Sequence, residues 1–173
     1  WIYLQIIFFL FITPGSPRVL MCSYTMSYSL KKTVWTALGD ITANTMQLFF
    51  VVVGLGLLVK NNPVLLIVIK WIGVVYPLYL AYDLYNTRVK EINAIDAKEK
   101  KILSFFKDGF IVAGLSPKAW VFFGVIFIQF LDYNLSSGYF FGQLIILWLT
   151  YIILDFFTLM IYGVTADKIS VWL

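Results

Sequence analysis

The chain contains no histidine and a single cysteine, Cys22. One thiol cannot close an intramolecular disulfide, and without imidazole or a second thiol there is no His/Cys metal site. Cys22 therefore reads as a small apolar residue. The same absences bear on catalysis. No loop carries a cluster of acids, a thiol or a glycine-rich motif, so the groups a membrane enzyme would need near an interface are missing. Charge is also scarce: Lys, Arg, Asp and Glu make up 13% of the residues, against about a quarter in soluble proteins. Instead, 61% of the chain is hydrophobic and 19% aromatic. A water-soluble core of this size cannot hide so much apolar surface. Apolar runs of twenty or more residues follow one another, the length needed to cross roughly 30 Å of hydrocarbon.

Five candidate spans can be read: Trp1 to about Ser27, Val34 to Val59, Pro63 to Tyr85, Gly109 to Leu131, and Gly138 to about Gly163. The fold class is an all-α integral membrane protein. The long polar stretch, Asn86 to Lys107, reads as a partly helical, solvated loop. The net charge of +4 gathers beside the spans, where orientation and anionic lipid account for it, and nucleic acid is not an expected partner. Lys31, Lys32, six cations of the long loop and Lys168 fall on one side, and Lys60 stands alone on the other. By the positive-inside rule the first set is cytoplasmic, which puts the start of the chain outside. The first span reads as one that stays in the membrane, since further apolar residues, not a cleavage site, follow its break. An opening at Trp1 and an end at Leu173 close behind an apolar span predict truncation at both ends, with a sixth, outward span missing.

Proline interrupts the first and fourth spans, at Thr13-Pro14-Gly15-Ser16-Pro17 and at Gly114-Leu115-Ser116-Pro117-Lys118. The breaks stand three spans apart, an odd number, so the two units run in opposite directions as an inverted repeat. The chain then forms one transmembrane domain over 1–173: a first three-helix repeat (1–85), a cytoplasmic loop (86–108) and an incomplete second repeat (109–173). Five helices are visible of a six-helix, 3+3 bundle whose helices 1 and 4 are broken at proline. Proline removes an N–H and frees the carbonyl four residues back, and lipid satisfies neither loss. Beyond each break Ser16 or Ser116 is expected to cap a new half-helix that begins with proline. Its free N–H groups suit a carboxylate. Thr13, Pro14, Gly15, Ser16, Pro17, Ser116, Pro117 and Lys118 are accordingly candidate substrate contacts.

Charges inside the spans form a second constellation: Arg18, Lys118, Lys70, Asp40 and Asp155. Each costs roughly 2.5–3.5 kcal/mol at mid-membrane, so pairing or a polar cavity is required. A cation such as Lys70 can hold a substrate carboxylate, and Asp40 or Asp155 can bind an ammonium group or carry a proton. Asp40 is favoured for coupling because small Gly39 beside it admits a neighbouring helix or ligand; Asp155→Asn is expected to be the milder change.

Three groups of residues recur in a recognisable order. Thr13-Pro14-Gly15 is followed by Gly39-Asp40 in the second span. The stretch Ile69-Lys70-Trp71-Ile72-Gly73-Val74-Val75-Tyr76-Pro77-Leu78-Tyr79-Leu80 comes next. Gly109-Phe110, Ser116-Pro117-Lys118-Ala119, Phe122-Phe123 and Gln129-Phe130 complete the set. In order and spacing these resemble the TPGP, LKxxGxxYLxYLG, and GF, NPKA, FF and QF motifs of the lysine exporter (LysE/RhtB) family of bacterial amino-acid exporters. The resemblance covers nearly the whole chain and implies a multi-pass, cofactor-free transporter of the inner membrane. It also implies a small-molecule amino-acid substrate, lipid surroundings and use of the proton gradient, and leaves a homo-oligomer open. Ser16 with Pro17 one place later replaces the family's second proline, Ser116 replaces its asparagine, Ala81 a glycine and Pro77 a leucine. Two of these changes fall at the breaks, so the resemblance implies an amino acid or related metabolite and names no compound. The alternatives from other classes are a passive channel or structural subunit, and less readily a membrane enzyme; saturable flux separates them.

Overall fold

The structure is a computed structural model that describes residues 1–13, 15–61, 64, 67, 71, 100–132 and 135–170. Every regular element among them is helical. Helices α1 (Ile2–Ile12) and α2 (Ser16–Ser27) meet at the first proline break at an angle of 49°. Helix α3 covers Leu30–Asn61. Helix α4 (Ile102–Gly114) stops one turn short of the second proline, and a short α5 (Pro117–Val121) restarts there. The backbone then widens into a π-helical turn, Phe122–Ile126, and tightens into a 3₁₀ turn, Phe127–Phe130. Helix α6 runs through Ser137–Ser170. By length and composition Leu30–Gly54 and Ser137–Ser170 can each cross a membrane, and the candidates among the described residues rise to four if each bent pair counts as one. Pro14, Lys70, Pro77, Ala81, most of the third expected span and residues 86–99 lie outside the described residues.

Two boundaries differ from the sequence expectation. Helix α4 begins at Ile102, inside the stretch read as loop, and carries Lys107 and Asp108 on its early turns. Phe105, Gly109 and Ala113 are its buried residues, a spacing of four that already defines a packed face before the apolar run becomes continuous. Helix α6 continues past Gly163 to Ser170, with Tyr151, Asp155, Leu159, Gly163 and Ala166 forming one buried stripe.

The distribution of polarity is inverted relative to a soluble bundle. On α3, Thr33, Thr36, Asp40, Asn44 and Gln47 are buried, whereas Trp35, Leu38, Met46, Phe49, Phe50 and Val53 are exposed. On α6, Asp155 is buried while Ile146, Ile153, Phe157 and Ile161 face outward. Exposed apolar faces this extensive require lipid as the solvent.

The chain divides into two compact units. The first takes in 1–45, 92–116 and 146–173. Its core packs Met21, Ala37 and Leu159 with Leu30, Phe156 and Met160. Phe11 and Tyr151 meet edge to face at 5.2 Å, and Tyr3 donates its hydroxyl to the Leu147 carbonyl. Helix α3 lies backbone to backbone on α4: a Cβ at Gly39 would fall on the Phe106 carbonyl, and one at Gly109 on the Thr36 carbonyl. The second unit, 46–91 and 117–145, holds an aromatic cluster of Phe122, Phe123 and Phe127. Its irregular turns free backbone groups that side-chain amides satisfy. Gln129 donates to the Val125 carbonyl, and Gln143 donates to the Phe130 carbonyl while accepting from the Asp132 N–H.

Candidate substrate and coupling site

Four polar side chains converge inside the first unit. The Arg18 guanidinium, two residues into α2 beyond the break serine, donates to Asp155 Oδ1 at 2.6 Å. Asn44 Nδ2 donates one hydrogen to Asp155 Oδ2 and the other to Asp40 Oδ2, both at 2.9 Å. Asp155 is 0% exposed, Asp40 2%, Asn44 3% and Arg18 6%. The shared Asn44 amide thus ties the Asp40 and Asp155 carboxyls together. Helical spacing explains the convergence on α3: Thr36, Asp40 and Asn44 recur every fourth residue and share one face. The Phe11 ring covers the guanidinium, 5.0 Å from its central carbon. The charge balance is uneven, two carboxyls to one guanidinium, so the ionised cluster carries one net negative charge in a low dielectric. A buried charge of this kind is costly unless a cation or proton offsets it. Several atoms here have no hydrogen-bond partner, among them Asp40 Oδ1, Asn44 Oδ1, Thr36 Oγ1 and Arg18 Nε.

The residues singled out in the sequence fall into distinct places. Asp40 and Asp155 are brought together, and Arg18, read as an in-span charge, supplies the pairing that burial demands. At the first break, Gly15, not Ser16, occupies the cap position: its backbone is extended and its carbonyl accepts the Val19 N–H. Ser16 is thereby the first helical residue, exposed, with Pro17 buried behind it. The carbonyls at the end of α1 accept side-chain hydroxyls. Thr13 Oγ1 donates to the Phe9 carbonyl, and Tyr162 of α6 donates its hydroxyl to the Ile12 carbonyl. At the second break, Ser116 is buried with its N–H on the Ala113 carbonyl, and Pro117 opens α5 with half-buried Lys118 following.

Two features escaped the sequence reading. Asn44 is neutral and polar, so no insertion penalty flags it, although its spacing from Asp40 was available. The second is a cluster at the start of α4. Lys100, assigned to the solvated loop, pairs with Asp108 and donates to the Tyr24 hydroxyl, while that hydroxyl donates to Asp108 Oδ2 at 2.8 Å. Its ammonium lies over the Tyr24 ring at 4.4 Å, and Tyr24, Tyr28 and Phe105 pack edge to face. Partial burial lowers the affinity of Lys100 for its proton, but the bonds to Asp108 and Tyr24 outweigh it and leave the pKa above the usual lysine value. The cluster fastens the last turn of α2 to α4.

Apolar helices, two broken at proline, and an ionic cluster sealed within them define a multi-pass membrane protein. The profile of the LysE type translocator family matches residues 8–173, and the chain belongs to that family. It is 28% identical over 133 residues to a leucine efflux protein of Salmonella typhimurium, a match taking in 76% of this chain and 63% of the relative. A leucine efflux protein of Klebsiella pneumoniae is 27% identical over 130 residues, covering 75% and 61%. The chain thus spans less than two thirds of the length of these relatives. No solved structure matches it.

Proposed function

We propose that the protein is a secondary transporter that exports an amino acid or closely related metabolite across the bacterial inner membrane in exchange for protons. The observation that carries this is the sealed Arg18–Asp155–Asn44–Asp40 cluster. It sits in helices whose outer faces are made for lipid, and its charge is unbalanced by one. Such a cluster is retained in a membrane when it changes charge or binds a charged solute. Family membership supports the same function, and the names of the relatives make leucine the first substrate to test.

In this scheme Asp40 or Asp155 carries the transported proton, with Asp40 favoured. The break residues Thr13, Pro14, Gly15, Ser16, Pro17, Ser116, Pro117 and Lys118, with Lys70, contact the solute. The architecture is a six-helix bundle of two inverted three-helix repeats, 1–85 and 109–173, joined by a cytoplasmic loop at 86–108. The breaks then meet near the midplane.

The intact protein, reconstituted in proteoliposomes with an imposed pH gradient, should move labelled leucine or another amino acid from a panel saturably and only down the coupled gradient. Non-saturable flux indifferent to the gradient would point to a channel. Well-inserted protein that moves no amino acid would end the proposal.

A further inference from the structure

The three helices that meet at the ionic cluster also carry an apolar layer beside it, in register. Toward the end that bears Lys31, Lys32 and Lys168, Arg18 of α2 gives way to Met21, Asp40 of α3 to Ala37, and Asp155 of α6 to Leu159. Met21, Ala37 and Leu159 pack together at 0–1% exposure, a dry plug over the cluster on that side. Further out, Met21, Thr25 and Leu30 close on Gly163 of α6, where a Cβ would come within 2.8 Å of the Met21 and Leu30 side chains and 3.5 Å of the Thr25 hydroxyl. Asp155 and Gly163 are eight residues apart, about 12 Å along the helix, so the seal is only two turns thick.

Of the helices in this seal, α2 is the one whose ends allow it to move. Helix α3 is clamped backbone to backbone on α4, and α6 is one helix of 34 residues. Helix α2 has 12 residues and irregular backbone at both ends. The 49° bend lies at one, and Ser29 at the other, with φ 142°, the only non-glycine residue at positive φ among the described residues. A side chain is strained there, strain of this kind collects at switch segments, and a few such residues suffice for a hinge. The polar contacts of Tyr24 with Lys100 and Asp108 hold the last turn of α2 down. Thr25 on that turn is 3% exposed, and its hydroxyl has no hydrogen-bond partner among the described residues, so closure leaves it worse served than water would.

We propose that α2 is the cytoplasmic gate of the transporter. When the Lys100–Asp108–Tyr24 latch lets go, α2 pivots at the proline break and yields at Ser29, which lifts Met21 out of the plug and opens the cluster to the cytoplasm. The inference rests on the export proposal and names the part that controls access to its site. Arg18 stands at the pivot end of α2 and Tyr24 six residues on, so a rotation that barely disturbs the Arg18–Asp155 pair displaces the latch most.

Two measurements on the full protein in proteoliposomes test the gate, both in a Cys22→Ser background. The Tyr28 and Phe105 rings pack at 5.1 Å, so Tyr28→Cys/Phe105→Cys places two thiols that a short, reducible bifunctional reagent can tie across α2 and α4. Tying should cut saturable amino-acid transport by about tenfold or more, and reduction should restore it. Undiminished transport by protein shown to be crosslinked would overturn the gate. Thr25→Cys reads the opening itself: N-ethylmaleimide should label it slowly with the latch intact and about tenfold faster once Lys100→Ala is added. Equal labelling rates in two variants that both unfold cooperatively would overturn the inference and leave export standing. A rate that rises with Lys100→Ala in protein that transports no amino acid would support the moving helix and sink the export reading instead.

Discussion

At the scale of single residues, the two aspartates have different standing because only one has a counter-charge. Asp155 is paired with Arg18, so Arg18→Gln leaves two buried carboxyls without a cation and should lower stability by about 3–5 kcal/mol, whereas Asp155→Asn removes the direct partner of Arg18 and leaves only Asp40 to offset it, and should cost less. Thermal unfolding in detergent should show both losses, with part of the stability regained in the Arg18→Gln/Asp155→Asn double variant. Asp40→Asn is the opposite case: an amide there can still accept from Asn44, and removing the carboxylate leaves one cation facing one anion. It should insert and fold like the parent while gradient-driven export is lost; normal flux in a well-expressed variant would remove Asp40 from coupling. The sequence expectation that Asp155→Asn is the milder change concerns export, whereas this contrast concerns folding. Lys100 sets a pH limit. Its pKa is raised on folding, so its contribution is complete below the unfolded lysine value near 10.5 and is lost as pH climbs through the folded value. With both side chains part-exposed the pair is worth about 1 kcal/mol, and Lys100→Ala should abolish the stability difference between pH 9 and pH 11 that the parent shows.

At the scale of helices, the α3–α4 contact depends on two glycines that let backbone touch backbone. Gly39→Ala or Gly109→Ala pushes a methyl onto a carbonyl of the facing helix, where no flexible side chain can yield, and each should cost about 2 kcal/mol or more, read as lost monodisperse protein in detergent. Gly54→Ala and Gly142→Ala meet nothing within 4 Å and should be neutral or slightly stabilising. The contrast explains what could be read from the chain. Proline breaks announce themselves, since proline cannot continue a helix without loss, and the in-span charges do so because lipid makes them expensive. The choice among glycines was not legible, except that Gly39 drew notice beside Asp40, because which helix approaches which is decided by tertiary contact. Pairing was foreseeable as a requirement, but that Arg18 answers Asp155 is a fact of how α2 and α6 pack. The π and 3₁₀ turns at Phe122–Phe130 lay beyond any periodicity, because amide side chains, Gln129 within the run and Gln143 outside it, complete them.

At the scale of the whole molecule, orientation in the bilayer follows from charges that lie off the spans, and it bears on every mechanistic step above. Nine cations on one side against Lys60 on the other is a bias that sets topology through the cost of moving Lys and Arg across the membrane. The topology proposed from it has the stretch around Asn93 cytoplasmic and Ser136, exposed just before α6, external. In a Cys22→Ser background, Asn93→Cys should resist a membrane-impermeant thiol reagent in intact cells and label only after permeabilisation, whereas Ser136→Cys should label at once. The background matters because Cys22 is itself half-exposed. The opposite pattern would turn the chain over, so that Lys31 and Lys32 face outward, against the positive-inside rule. Labelling of both positions in intact cells would mean that an even number of crossings separates them. That outcome would break the odd-numbered spacing between the two proline breaks, and with it the inverted repeat on which their meeting at the midplane depends.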